Sequence, residues 1–508
     1  MSAQIRKHSL VSSVVIYFGF LVGALNNFFF TKEGYFTTTE YGLTSGFFVP
    51  VATFMMSIAC MGMPSYIYKF YPYYNDRLPV RKNDMLTISL VTSMIGSVVV
   101  LIIGIAFKWL FERKYSAESP LAVQYYYWMF PFGFGLTIYT VLEAYAWNLK
   151  KSVVTNFMKE VQFRLITTVL ICLFIFRIIS NFDLFIKIYS FSYLIIACTL
   201  LIYLMIKKKI FITFRLSSVS KKFSKNILRF LLFVYPGSLI LNLSMVFDSF
   251  VISSVSKKGL TGLAIYTFAQ YLTSLIQAPQ RGVQASATPY ISQAWKDKNI
   301  GQIQNIYQRS SINMLIFACL LFILVLANFS EAIRTLGLMG ELLDGLDVFL
   351  LLGATKIVDL GTGVNAPIIG TSKYWKFELT SGIVLLLLML PLNYYLAKKM
   401  DINGPALANL ISVVIYNAVR ILFLWKKFRL FPFTRNSIYT LILAAGTYGI
   451  SWLLFHNLHG FSGLFARSIF IVALFTGSVY FLNLTPDLKP VLASLVKRLK
   501  RDRKSGKQ

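Results

Sequence analysis

Apolar residues in this chain gather into about fourteen long stretches, and polar residues collect in the gaps between them. The stretches run Leu10–Phe30, Leu43–Met63, Leu86–Phe107, Val123–Ala146, Val161–Ile179, Leu184–Ile206 and Phe230–Ser253, then Gly262–Val283, Ile312–Phe329, Leu346–Ile369, Phe377–Ala397, Gly404–Leu424, Ile438–Phe455 and Phe465–Leu484. Each approaches the about 20 residues of helix that cross the hydrocarbon core of a bilayer. The pattern therefore predicts an all-α integral membrane protein of about 14 transmembrane helices. Lys and Arg crowd into every second gap, and the intervening gaps carry few. Basic loops stay on the cytoplasmic side, so the alternation places both termini there. The first stretch follows Arg6 and Lys7 but is too long for a signal-peptide core and lacks a small-residue exit, so it reads as an uncleaved helix.

Composition supports this pattern. Of 508 residues 56% are hydrophobic and only 14% charged, against about 25% charged in a soluble protein. The excess of 50 Lys+Arg over 20 Asp+Glu, a formal charge of +30, follows from the loop asymmetry and requires no nucleic acid. Cys60, Cys172, Cys198 and Cys319 all fall inside apolar stretches and read as small hydrophobes rather than a disulfide framework. His8, His456 and His459 offer no metal-ligand set, and no metal or cofactor is expected. No P-loop, nucleotide fingerprint or nucleophile motif appears, and the outer gaps near Glu112–Glu118 and Glu331–Asp347 are too short for a catalytic domain, so an enzyme is not expected.

The chain divides at a basic segment, residues 207–229, which separates an N-terminal lobe (1–206, helices one to six) from a second lobe (230–425, helices seven to twelve). Two further helices (426–485) and a basic amphipathic tail (486–508) follow. Such basic segments can lie along an anionic leaflet or simply fix orientation. A weak internal repeat relates Gly42-Leu43 and Gly62 to Gly262-Leu263 and Gly282 at the same spacing, consistent with parallel repeats of a transporter.

Polar residues inside apolar helices mark a bundle interior or an aqueous cavity. On the eighth stretch Gln270, Thr273, Ser274, Gln277, Arg281 and Gln284 form one stripe, with Pro279 in its middle. On the tenth, Lys356 lies ten residues in from Leu346, about 15 Å at 1.5 Å per residue. Asp359 follows at i+3, where it can pair with the lysine. Asn409, Ser412, Tyr416 and Arg420 make a stripe on the twelfth. Asn26 and Asn27 follow Gly19 and Gly23 on the first helix, a spacing that also suits close helix packing. Asp248 and Glu143 are further acids within the spans, and Arg164 and Arg177 are placed to snorkel to the interfaces.

Several segments together resemble the polysaccharide (O-antigen-type) flippases of the multidrug/oligosaccharidyl-lipid/polysaccharide exporter superfamily. They are Glu40–Pro50 (EYGLTSGFFVP), Phe247–Leu272 (FDSFVISSVSKKGLTGLAIYTFAQYL), Pro289–Ser310, Asp359–Trp375 (DLGTGVNAPIIGTSKYW) and Asn403–Ser412 (NGPALANLIS). The resemblance implies two pseudo-symmetric six-helix lobes around a central cavity, plus two C-terminal helices, in a bacterial cytoplasmic membrane. It also implies export of oligosaccharide linked to undecaprenyl diphosphate, alongside the polymerase and glycosyltransferases of the same pathway. In that setting Lys356, Arg281 and Arg420 would meet the diphosphate, while Gln270, Gln277, Gln284, Asn409, Asn26 and Asn27 would line the cavity. Asp359, Asp248 and Glu143 would be the acids open to ion coupling, and membrane lipids the surrounding partners. Lipid II flippases of the same superfamily carry arginines in the first helix, which Leu10–Phe30 lacks. Drug/cation antiporters use an acidic cavity, and a membrane-embedded polymerase or ligase would need catalytic groups at the outer face.

Overall fold

The computed structural model describes residues 3–487, apart from the side chains of residues 3–14 and of a few other helical positions, Arg281 among them. The tail beyond Asp487, read above as amphipathic, lies outside the described residues. The described chain is helical with no sheet. Among the described residues nine helices are long and apolar enough to cross a membrane. They coincide with nine of the fourteen predicted stretches. Of the other five, Leu10–Phe30 lies on one unbroken helix, Ala3–Thr31, whose described apolar part is Phe18–Thr31.

The chain forms two compact units, Met1–Ala264 and Ile265–Gln508. By contacts the first unit thus includes the basic segment and the seventh stretch. Its helices are α1 (Ala3–Thr31), α2 (Thr38–Ala59), α3 (Met63–Arg77), α4 (Met85–Ala106), α5 (Met129–Asn148), α6 (152–175), α7 (Phe182–Ile206) and α8 (Ser218–Val255). Helix α5 is central and packs on α2, α4 and α7, while α8 lies along α2 and α3. Gly135 allows the close α5–α7 crossing, since a Cβ there would run into the backbone of Leu194. Aromatic rings fill the interior: Phe163 stacks on Tyr193 at 4.6 Å and Phe36 on Phe174 at 4.5 Å.

Helix α9 (Gly259–Lys296) passes into the second unit at Ile265 and carries Pro279 and Pro289 within it. There follow α10 (Ile300–Leu336), α11 (Leu346–Gly361), α12 (Asn365–Thr371), α13 (Trp375–Met400), α14 (Asn403–Phe428), α15 (Arg435–Phe455) and α16 (Gly460–Phe481). Helices α13 and α14 form a tight hairpin, α11 packs on α10 and α14, and α10 also packs on α15 and α16. Leu315, Cys319 and Ile323 of α10 meet Ala444, Ile471 and Phe475 there in a buried apolar core. All four cysteines are free; Cys60 and Cys319 are buried, whereas Cys198 is exposed. The two glycines matched in the internal repeat differ locally. Gly62 has a left-handed backbone (φ 78°) at the start of α3, whereas Gly282 continues α9.

A polar network in the second unit

The tenth stretch is two helices, α11 and α12, joined at Thr362–Val364. Gly363 turns the chain with φ +67°, a conformation open to glycine because it lacks a Cβ. The break leaves helix-end carbonyls to be satisfied elsewhere. Ser311 Oγ of α10 donates to the Gly361 carbonyl at 2.5 Å. Thr362 and Asn365, at the break, turn their side chains to α14.

From this break a hydrogen-bonded network reaches across α9, α11, α12, α13 and α14. Lys356 Nζ donates to Gln277 Oε1 at 2.8 Å, Gln277 Nε2 to Gln280 Oε1 at 2.9 Å, and Gln280 Nε2 to Asp359 Oδ2 at 2.9 Å. Asn417 Nδ2 donates to Asp359 Oδ1 at 3.3 Å, and Asn417 Oδ1 accepts from Thr362 at 3.0 Å and Asn365 at 2.8 Å. Arg420 Nη1 reaches Asn365 Oδ1 at 3.5 Å, and its Nη2 pairs with Glu378 of α13. The Tyr416 ring lies 3.9 Å from the Arg420 guanidinium carbon, adding a cation–π contact. Arg420, Asn417, Asn365 and Gln280 are buried, while Lys356, Asp359 and Gln277 are half-buried.

Burying polar groups is costly unless each has a partner. Here neutral amides hold the charges in place, so Lys356 and Asp359, expected to pair across one helical turn, are joined through Gln277 and Gln280 of another helix. Three members escape a sequence reading. Gln280 lies one position outside the α9 stripe, Asn417 sits between Tyr416 and Arg420, and Glu378 stands in the first turn of α13. Asn417 was the most recoverable, being adjacent to Tyr416 and one turn from Arg420 on the face already marked polar.

The other predicted positions fall elsewhere. Asn409 Nδ2 donates to the Tyr266 hydroxyl at 3.3 Å. Gln270 is exposed and Gln284 half-buried, and among the described residues neither joins the network by a side-chain hydrogen bond. Arg281 is on α9 one residue beyond Gln280, with its side chain outside the described residues. Asn26 and Asn27, read as cavity residues, bind neighbouring helices of the first unit. Asn26 Nδ2 donates to the Arg164 carbonyl at 2.8 Å and its Oδ1 accepts from Thr168 at 2.6 Å, while Tyr41 donates to Asn27 Oδ1 at 2.8 Å. Arg164 packs against Gly23 and pairs with Glu160 at 3.0 Å. The acids Glu143 and Asp248 are buried in the first unit, where Lys159 Nζ lies 3.7 Å from Glu143.

A family model described as polysaccharide biosynthesis protein matches residues 5–295, and one described as MatE matches 237–395. No curated protein sequence matches the chain. Among solved structures it is similar to the lipid II flippase MurJ in an inward closed conformation, at TM-score 0.73 and 14% identity, covering 94% of this chain and 99% of that one. An inward-facing multidrug resistance MATE family transporter of the MOP superfamily follows at TM-score 0.64 and 17% identity, covering 81% and 94%. A MOP superfamily transporter from Pyrococcus furiosus, described by a binding pocket of reversed polarity, gives TM-score 0.54 and 16% identity, covering 83% and 96%. At these identities the likeness is one of fold. The polysaccharide family model spans more than half of the chain and the multi-pass helical fold agrees with it. The chain therefore belongs to the family described as polysaccharide biosynthesis protein.

Proposed function

We propose that the protein is a flippase that carries oligosaccharide linked to undecaprenyl diphosphate from the inner to the outer leaflet of the cytoplasmic membrane by alternating access, with both termini cytoplasmic. The observation that carries this reading is the polar network of Lys356, Gln277, Gln280, Asp359, Asn417, Asn365 and Arg420, set within otherwise apolar helices. Family membership supports it independently.

A sugar diphosphate cannot enter hydrocarbon unaided, because its polar groups would lose water without gaining partners. Helix-borne amides and cations supply those partners, while the prenyl chain stays in lipid. Lys356 and Arg281 are the cations assigned to the diphosphate. Arg420, held between Glu378, Asn365 and Tyr416, positions the α12–α14 side of the network. With the cytoplasm negative, outward movement of an anion is favoured by about 2.3 kcal/mol per charge per 100 mV when no counter-ion travels with it. If transport is ion-coupled, Asp359 is the acid best connected to the cargo-binding groups; Asp248 and Glu143 are the acids of the first unit. The oligosaccharide would come from membrane glycosyltransferases and pass to a polymerase.

The test is purified protein in proteoliposomes loaded with lipid-linked oligosaccharide, scored by exposure of the sugar to an impermeant glycosidase. Wild type should expose the sugar and Lys356→Ala should not. Lipid II tested in parallel separates the two cargoes: transport of lipid II alone would reject the oligosaccharide reading. Release of polymerised sugar by the purified protein would instead reveal a polymerase.

A further inference from the structure

Between Asp183 and Asp248 the sequence has no acidic residue, yet Lys207, Lys208, Lys209, Arg215, Lys221, Lys222, Lys225 and Arg229 fall there. All eight are exposed. The structure shows what this charge surrounds. Residues 207–217 form a non-helical strap between α7 and α8. One edge of it is fastened to the first unit: Thr213 N donates to Thr87 Oγ1 at 3.1 Å, Ser217 N donates to Asp84 Oδ2 at 2.8 Å, and the Arg81 guanidinium lies 5.7 Å from the Phe211 ring centre. Ile210 and Ser217 are buried.

In an extended segment successive side chains point to opposite sides. The strap accordingly turns Ile212, Phe214 and Leu216 outward, with Phe214 82% exposed. The strap begins where α7 ends in Met205 and Ile206, both exposed apolar side chains of a membrane-length helix, and beyond it α8 exposes Leu228, Leu232 and Phe233. The basic residues therefore mark the level at which lipid-facing surface gives way to water. Three outward apolar side chains at that level, ringed by exposed cations that outnumber the one buried acid at the strap's inner edge, Asp84, suit a single neighbour: the headgroup region of an anionic bilayer, where apolar groups sink to the acyl boundary and ammonium groups meet phosphates.

We infer that the 207–217 strap docks on anionic phospholipid, with Lys207, Lys208, Lys209 and Arg215 on the headgroup phosphates and Ile212, Phe214 and Leu216 inserted beneath them. The site is separate from the network of the second unit and does not depend on the nature of the cargo.

The test uses the full-length protein with its native cysteines replaced by serine and Phe214→Cys introduced, in nanodiscs of phosphatidylcholine or of phosphatidylglycerol. Maleimide labelling at position 214 should be at least about tenfold slower in phosphatidylglycerol at low salt, because the basic residues draw the strap onto an anionic surface. High salt should remove the difference. Replacing the four strap cations with Gln should restore fast labelling, and replacing the three lysines with Arg should keep it slow. Equal rates in the two lipids, or slowing that survives the Gln replacements, would overturn the inference. The lipid comparison is made on one folded protein, so it decides the matter even if the Gln variant does not fold.

Discussion

Ser220 Oγ donates to Asp84 Oδ2 at 2.7 Å, joining residues 136 positions apart in the sequence. Ser220 is in the first turn of α8, and Asp84 also takes the backbone N–H of Ser217, so one carboxylate secures the start of the long helix that follows the basic strap. Tyr74 extends the contact to α3 through Ser220 at 2.7 Å, and Tyr66 donates to Tyr74 at 2.7 Å. Asp84→Ala leaves these donors buried and unmatched and should destabilise the protein by about 2–3 kcal/mol. Thermal unfolding in detergent should rank wild type above Asp84→Asn and Asp84→Ala lowest; an unchanged midpoint for the alanine variant contradicts this role.

Asp487 gives a pH-dependent counterpart. Its carboxylate pairs with Arg309, accepts from Asn313 at 2.6 Å, and is held below its ordinary pKa chiefly by the Arg309 hydrogen bonds. A depressed carboxylate stabilises the folded state fully above the usual range near pH 4, and this contribution is lost as pH falls through the lowered value. Stability measured as the solution is acidified should therefore fall more in wild type than in Asp487→Asn. Parallel acid profiles would show that the pair contributes nothing.

Arg420 is buried and carries its Glu378 partner with it. Removing one member of such a pair leaves an uncompensated charge, at a cost of about 3–5 kcal/mol. Arg420→Gln should show that loss in chemical unfolding, and the double variant with Glu378→Gln should recover part of it. Additive losses would mean that the two residues act independently.

At Gly363 an added Cβ would stand 2.9 Å from Ser310 Oγ and 3.0 Å from Ser311 N, with φ at +67°. Gly363→Ala should destabilise by about 1–2 kcal/mol from backbone strain alone. It should also impair transport by shifting Thr362 and Asn365; a neutral substitution in both assays would show that the break tolerates ordinary residues.

Gln280 and Asn26 separate two uses of a buried amide. Gln280→Leu interrupts the path from Lys356 to Asp359 and should slow sugar exposure in proteoliposomes as Lys356→Ala does. Asn26→Ala removes two hydrogen bonds between α1 and α6 and should lower stability by about 1–2 kcal/mol, leaving the rate per folded molecule intact. The reverse pattern would return Asn26 to the transport path.

These contrasts mark how far the sequence could be read. Apolar length located nine helices of membrane-crossing length among the described residues, because crossing a bilayer imposes a minimum span. The break at Thr362–Gly363 was hidden inside one apolar stretch, since hydropathy is blind to backbone hand. A polar stripe shows that a helix face needs partners but not which helix supplies them. Asn26 therefore looked like Gln277, although its partners are Arg164 and Thr168. Lys356 and Asp359 stand one turn apart and were expected to pair, whereas the glutamines that join them belong to a helix about 80 positions away.

The donors of the second unit run in two opposed directions and end on the same atom pair. From one side Lys356 feeds Gln277 and Gln280; from the other Arg420 feeds Asn365 and Asn417; both files terminate at the oxygens of Asp359. A carboxylate can absorb both because it only accepts. An amide in its place would accept at its oxygen and donate at its nitrogen, so Asp359→Asn would oblige one file to turn end for end, and the change would be felt at whichever cation lies at the far end of the file that reverses.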